Sequence, residues 1–337
     1  MNKVRNTIFL LISLFYLSIE QGHAIEVTFT IDEYAARTAG LSNAERNLAQ
    51  LLTEVNRAQG AHAILELGQM RMDEFAKKSI AAIWAVTPFV CEEKEIVERC
   101  WVFKNGTMMV SHIPLIMKPE GETFGLGQYQ EAVVEFDRNG KMTDFRFAIS
   151  PQLGESMEHC GVAEVEKAAV IKRSLEKFRT AYCEKDIKTI EAMFSDDALI
   201  ITGKVIGTQP SKDIKVKSYK VEYTKQTREQ YIRNLRKAFA RNKWIKVDFE
   251  DIKENEEIDA CAGVTRSTID PTKYGVRVRQ LWKSQNYNDE GYLFLLWEFP
   301  EDGRDPIIHV RTWQPELVGG KRQRPDDDIS TLSGFDL

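Results

Sequence analysis

Two stretches of this chain match one another at a fixed distance. Residues 129–147, YQEAVVEFDRNGKMTDFRF, and residues 292–310, YLFLLWEFPEDGRDPIIHV, align without a gap. Tyr129, Glu135, Phe136 and Gly140 fall on Tyr292, Glu298, Phe299 and Gly303, each 163 positions later (292 − 129, 303 − 140). Both stretches put strand-like runs on either side of a polar turn with a glycine, the pattern of a β-hairpin with a buried face. The unit is too long for a solenoid, so a true repeat here is a duplicated domain. Hairpins share turn chemistry, and four matched positions also arise by chance. The order of the neighbouring elements favours duplication.

In the first half, Ser42 and Glu45 spell a capping box before a helix with Leu48, Leu51, Leu52 and Val55 on one face. A second helix is predicted over Asp73–Trp84, with Phe75, Ile80 and Ile83 towards the core. Strands are predicted over Ile96–Phe103, Met108–Met117, Tyr129–Phe136 and Phe145–Ile149, with Asn105-Gly106 and Asn139-Gly140 as tight turns. The polar stretch SPQLGESMEHCG, residues 150–161, reads as a linker.

The second half opens on a helix carrying Val165, Ala168, Ile171, Leu175, Phe178 and Tyr182 at steps of three and four. A short helix over Ile187–Phe194 and the apolar strand Ala198–Gly207 follow. Lys217–Tyr223 suggests a strand with an exposed face. Thr227 and Gln230 form a second capping box, before a helix with Tyr231, Leu235 and Phe239. Strands are predicted over Trp244–Ile252, Gly275–Lys283, Tyr292–Phe299 and Ile307–Trp313. The first half has only GAHAILELGQMRM, residues 60–72, where the second has a short helix, a strand and a lysine-rich stretch. It lacks a piece of its wall.

The amino terminus has another character. Lys3 and Arg5 precede the apolar run Ile8–Ile19, and Gly22-His23-Ala24 offers a small-x-small cleavage site. That is a secretory signal peptide cut after Ala24, with a short membrane anchor as the weaker reading. No other segment is apolar enough to span. The five cysteines then meet an oxidising compartment, and their odd number leaves at least one unpaired or intermolecular. A net charge of −5 argues against nonspecific nucleic-acid binding.

The run LEKFRTAYCEKDIKTIEAMFSDDALI, residues 175–200, has a helix, an acidic turn, paired hydrophobics and Asp-Asp-Ala before the first strand. It resembles the start of the nuclear transport factor 2-like superfamily, which includes the SnoaL-like and ketosteroid-isomerase-like proteins. The resemblance covers residues 162–316 and reaches the first half only through the internal match. It implies an α+β fold of two tandem cone-shaped domains, each with helices packed on a curved antiparallel sheet, the first degenerate. The expected layout is a signal peptide at 1–24, domains at 25–150 and 162–316, a linker at 151–161 and a flexible tail at 317–337. The two copies are expected to pair within the chain as a pseudo-dimer, or between chains through their sheet faces. Secreted tandem proteins of this kind suit a Bacteroidales-like bacterium. Members include isomerases, dehydratases, hydrolases and non-enzymes, so fold does not decide function.

Chemistry is sparse. Ketosteroid-isomerase-like catalysis needs a carboxylate base in an apolar cavity, and no carboxylate on an apolar strand face fits. Asp196 and Asp197 read as a cap or turn. Tyr182, Trp297, His309, Arg311 and Trp313 are the candidates for a cavity wall or ligand contact. By period-two alternation His309 and Arg311 share a strand face with Ile307. Against this, Tyr182 also reads as a core tyrosine, the tryptophans as packed core, and His309 and Arg311 as solvated or paired with acids such as Glu298. No catalytic residue, cofactor or metal site is predicted: the sequence has no nucleotide-binding or hydrolase motif and no metal-ligand spacing. The expected function is a secreted, non-catalytic ligand- or protein-binding scaffold of the bacterial envelope, in periplasm or on the cell surface. Its partner would be a small hydrophobic ligand or an envelope protein. The alternative is a small-molecule isomerase or hydrolase working in the second cavity.

Overall fold

The computed structural model describes residues 25–32, 39–119, 128–159, 165–208, 218–254, 257–258, 264–267, 269–300 and 304–323. The proposed signal peptide, Cys160, Cys261, the glycine-rich stretch GETFGLG at 121–127 and the end of the tail lie outside them.

The first half begins with β1 (Thr28–Ile31), α1 (Ala39–Gly60) and α2 (Glu74–Val86). The short strands β2 (Phe89–Val90), β3 (Glu95–Glu98) and β4 (Cys100–Val102) follow, then β5 (Met108–Met117), β6 (Tyr129–Phe136) and β7 (Met142–Phe147). Strands β2, β5, β6 and β7 lie side by side and antiparallel, and β4 also pairs with β5. β1 runs parallel to β3 as a separate ribbon. The apolar face of α1, Leu48, Leu51, Leu52 and Val55, is fully buried. Gly140 holds φ +77° in the β6–β7 turn, and a Cβ there would stand 2.4 Å from the Gly40 carbonyl oxygen of α1.

The second half comprises α3 (Pro151–His159), α4 (Val165–Glu184), α5 (Ile187–Ala192), β8 (Phe194–Thr208), β9 (Ser218–Gln226) and α6 (Arg228–Arg241). Beyond β10 (Ile245–Glu250) come the short β11 (Lys253–Glu254), β12 (Glu257–Ile258) and β13 (Val264–Arg266). The long β14 (Lys273–Ser284), β15 (Asn288–Glu298) and β16 (Ile307–Pro315) complete the sheet. Its order is β10-β14-β15-β16-β8-β9, antiparallel except that β16 and β8 are parallel. The fold is therefore α+β: helices packed on antiparallel sheets, with one apolar core running from Val27 to Trp313.

The four strands β2-β5-β6-β7 follow the same order as β10-β14-β15-β16, and the first sheet has no counterpart of β8 and β9 among the described residues. A single parallel bridge, Met72 to Met142, stands where β8 meets β16. There the Met142 N–H donates to the Arg71 carbonyl at 2.9 Å, as the Ile308 N–H donates to the Met193 carbonyl at 2.8 Å. Helices α2 and α4 cover the rest of the β7 edge. The Thr180 hydroxyl of α4 accepts the Phe147 N–H at 2.8 Å, and Arg179 donates to the Ala148 carbonyl and, at 2.7 Å, to the Val247 carbonyl of β10. An unpaired strand edge would leave backbone groups unsatisfied; α4 meets some of them, and α2 of the same half meets another where the Ser79 hydroxyl donates to the Phe145 carbonyl at 2.9 Å.

Several local expectations change. Residues 151–159 form α3 rather than linker, with Leu153 and Met157 fully buried. Pro151 sits at a helix start, where proline is tolerated. Ser42 lies inside α1, and the Glu45 carboxylate accepts the Ile31 N–H at 2.8 Å instead of closing a capping box. Phe75 is exposed. The predicted strand over Ile96–Phe103 is broken into β3 and β4, and the one over Phe145–Ile149 starts earlier, as β7. In the tail, β17 (Leu317–Val318) and β18 (Lys321–Arg322) form a small antiparallel ribbon, and Arg322 pairs with Glu316 at 2.7 Å. Asp196 and Asp197 are exposed within β8, where its pairing with β16 is irregular.

Candidate functional site

The interior face of the second sheet is set by alternation along β14 and β15. Tyr274, Val276, Val278, Gln280 and Trp282 face the core from β14, opposite Trp297, Leu295 and Leu293 of β15. Gln280 is the one polar residue in that series. On β16 the alternation is interrupted. Leu296 pairs with Val310 and Trp297 with Ile308, so His309 has no partner across the strands. Ile308 faces the core, while Val310 packs with Phe294, Leu296 and Leu199 on the opposite face. A bulge of one residue puts His309 on that outer side and turns Arg311 inward. His309 and Arg311 thus do not share a face, contrary to simple alternation.

Arg311 is 5% exposed and meets no carboxylate among the described residues. Its Nη2 donates to Gln280 Oε1 at 3.4 Å, and the guanidinium stands 5.1 Å from the centre of the Tyr231 ring. Tyr231 and Tyr182 share a 2.5 Å hydrogen bond between their hydroxyls. Nε and Nη1 of Arg311 are buried without a hydrogen-bond partner, as are the indole nitrogens of Trp297 and Trp313. Trp313 lies two residues beyond Arg311, and Trp297 two beyond Leu295, the residue opposite Arg311. Gly291 makes room for Trp313: a Cβ there would come within 2.6 Å of the indole ring.

The helices aim the two phenols. Thr227 caps α6 through a complete capping box with Gln230, which fixes the first turn where Tyr231 stands. Tyr182 lies in the last turn of α4, wedged edge-on against Phe178 at 4.8 Å and Trp282 at 5.7 Å. Burial pushes its phenol well above the ordinary range; Tyr231 adds to the shift and the Arg311 guanidinium opposes it. For Arg311 burial works against the charge, but the two phenols favour it more, so the guanidinium stays protonated. The cluster is rich in donors, cationic and protonated.

Two other arginines are buried and meet carboxylates. Arg146, on β7, contacts Glu176 at 2.9 Å and Glu135 and Asp144 at 2.8 Å each. Arg179 bonds Asp248 and Gln130 besides its two carbonyls. On the outer face His309 Nε2 stands 2.5 Å from a Glu298 carboxylate oxygen without hydrogen-bond geometry, and Nδ1 stands 3.7 Å from Asp197. A nearby groove of about 340 Å³ lies between Asp196–Leu199, Lys225–Gln226 and Thr227–Gln230. Among the described residues no group of three or more His, Cys, Asp or Glu is placed to hold a metal, and Cys91, Cys100 and Cys183 are free thiols. No described helix is long and apolar enough to cross a membrane.

Of the residues singled out from sequence, the fold brings Tyr182, Arg311, Trp297 and Trp313 to one interior and places His309 outside it. Tyr231 and Gln280 complete the cluster and were not singled out. Gln280 had a visible signal, a lone amide in an alternating apolar strand. Tyr231 had only its place on a helix face shared with Leu235 and Phe239.

No family model matches the sequence, and no curated protein matches it. Among solved structures it is similar to Bd1075 of Bdellovibrio bacteriovorus, at 12% identity and TM-score 0.30. That match covers 45% of this chain and 41% of Bd1075, so this chain spans less than half of that protein. A provisionally assigned aromatic ring hydroxylase from Novosphingobium aromaticivorans matches at 13% identity and TM-score 0.32, over 47% of this chain and 96% of that one. A provisionally assigned dehydratase of the nuclear transport factor 2-like family from Streptomyces avermitilis matches at 12% and 0.31, over 45% and 97%. Likenesses of this strength carry no argument about what this chain does.

Proposed function

We propose that this chain is a non-catalytic binding protein of the bacterial envelope, and that it holds a small ligand inside the second sheet. One observation carries the reading: the interior presents buried hydrogen-bond donors without partners beside two phenols, while the carboxylate on the same face of β15, Asp289 opposite Trp282, stands six residues along the strand from Leu295 and accepts from the Tyr287 hydroxyl at 2.5 Å. Donors without an acceptor in a dry interior favour a bound group that accepts. A reaction that moves a proton from carbon also needs a base within reach. The first half, with its shorter wall, serves as scaffold, packed against the second through α4 as a degenerate copy of the same domain. Secretion rests on the charged, apolar and small-residue run at positions 1–24.

Native mass spectrometry of protein isolated from its own host tests the reading. The expected mass exceeds that of the chain by one small molecule, which denaturation releases. A bare chain that also shows no saturable change in tryptophan emission with small-molecule acids and amides sinks it. One feature favours the enzymatic alternative: a phenol pair beside a guanidinium would stabilise a developing oxyanion. Release of a chemically altered ligand on prolonged incubation decides for that reading.

A further inference from the structure

We infer that the ligand is a monocarboxylate with an apolar body, its carboxylate seated on Arg311. The inference rests on the binding role proposed above and narrows it to a chemical class. Nε and Nη1 together carry three N–H donors, and all are buried without partners. Tyr182 and Tyr231 have two hydroxyl protons, and their mutual hydrogen bond uses one. The cluster thus offers donors around a fixed positive charge, with the Gln280 amide oxygen as the acceptor already engaged. A neutral carbonyl would accept hydrogen bonds and leave the charge uncompensated. An anion answers both needs.

The number of charges narrows the class further. Arg311 is the single cation among the described interior positions of β14, β15 and β16. A phosphate dianion would bring a second buried charge with no counterpart, which burial disfavours. One negative charge balances one guanidinium. Around it the interior is apolar and aromatic, with Trp297, Trp313 and Leu295 on the same face, so the rest of the ligand is expected to be apolar. Within this molecule Arg146 and Arg179 each meet carboxylates of the chain itself. Arg311 is the buried arginine that does not.

The test titrates the full chain with sodium monocarboxylates from acetate to octanoate and with benzoate. The matching primary amides serve as neutral isosteres and inorganic phosphate as a competitor, all read by tryptophan emission and calorimetry. At least one carboxylate is expected to saturate the protein and to bind tenfold or more tighter than its amide. Arg311→Gln is expected to reduce that acid to the level of its amide. Should the variant fail to fold, an anomalous difference map of wild-type crystals grown with 4-bromobenzoate must place the carboxylate on Arg311. Amides that bind as well as the acids, or Arg311→Gln binding the acids unchanged, overturn the carboxylate while leaving the binding protein standing. Displacement by phosphate at equal concentration overturns it in favour of a simple oxyanion site. If neither acids nor amides bind and the map shows only water on Arg311, both inferences fall.

Discussion

Arg146 and Arg311 each lie buried on the last long strand of a sheet, and their charges are met in different ways. Arg146 faces three carboxylates, one of them Glu176 from the helix that joins the halves. Arg311 faces two phenols, an amide and its own unpartnered N–H groups. An ion pair that is fully surrounded ties elements together, whereas a lone guanidinium lowers stability until something anionic joins it. The contrast suggests that the first half keeps its arginine for structure and the second keeps its own for binding.

The sharpest way to break this contrast is Arg146→Met. It leaves Asp144 and Glu176 buried without their cation, beside Glu135, which keeps Arg173 at 2.6 Å, and the expected loss is about 3–5 kcal/mol in urea denaturation. A loss below about 1 kcal/mol would show that the network is structurally idle.

The same contrast recurs among the glutamates of α4. Glu176 is paired with Arg146, whereas Glu184, two turns on, meets the Ser79 hydroxyl. Ser79 also bonds the Phe145 carbonyl at 2.9 Å, and its single proton serves one of the two. A protonated Glu184 supplies the other. Burial, the main cause, pushes its pKa up to about 8 from the ordinary carboxylate value of about 4.5. The sign follows: between those values the unfolded chain has lost a proton that the folded chain keeps. Stability is full below about pH 4.5, falls as pH rises through this window and levels off above pH 8. The loss is roughly 2–4 kcal/mol. Denaturation of wild type and Glu184→Gln at pH 5 and pH 8 checks it, since the amide should flatten this part of the slope.

Much of this architecture was legible because alternation and turn chemistry are local. Asn105-Gly106 and Asn139-Gly140 turn with positive φ at both glycines, and Met108–Met117 and Tyr129–Phe136 are strands with those bounds. Helix α3 was hidden because Pro151 and Gly154 read as breakers, although neither prevents a short helix docked by Leu153 and Met157. The orientation of His309 was hidden for a different reason. A bulge adds one residue to a strand with no mark of its own, and it reverses the facing of every residue beyond it. Which charged side chain is buried therefore depended on a register that only pairing with β15 defines.

A gentler perturbation reaches the Arg311 cluster without touching it. Thr227→Ala removes the cap of α6 and is expected to cost about 1 kcal/mol, with Tyr231, in the first turn, freed to move from Arg311. Calorimetry of the variant should show this loss along with weaker carboxylate binding.

Arg311→Met is expected to change stability least of all, by less than about 1 kcal/mol either way in ligand-free protein. Met fills much of the same volume, removes a buried charge with no carboxylate partner and gives up the long 3.4 Å bond to Gln280 and the contacts with Tyr231 and the Tyr182 hydroxyl. The desolvation that is relieved and the contacts that are lost nearly cancel. Denaturation of Arg311→Met beside Arg146→Met separates the two roles with one chemical change at two positions. Equal, large losses would mean that Arg311 is held by the fold as firmly as Arg146 and that its interior is structural. A near-zero change at Arg311 with a large one at Arg146 leaves binding as the reason for the charge.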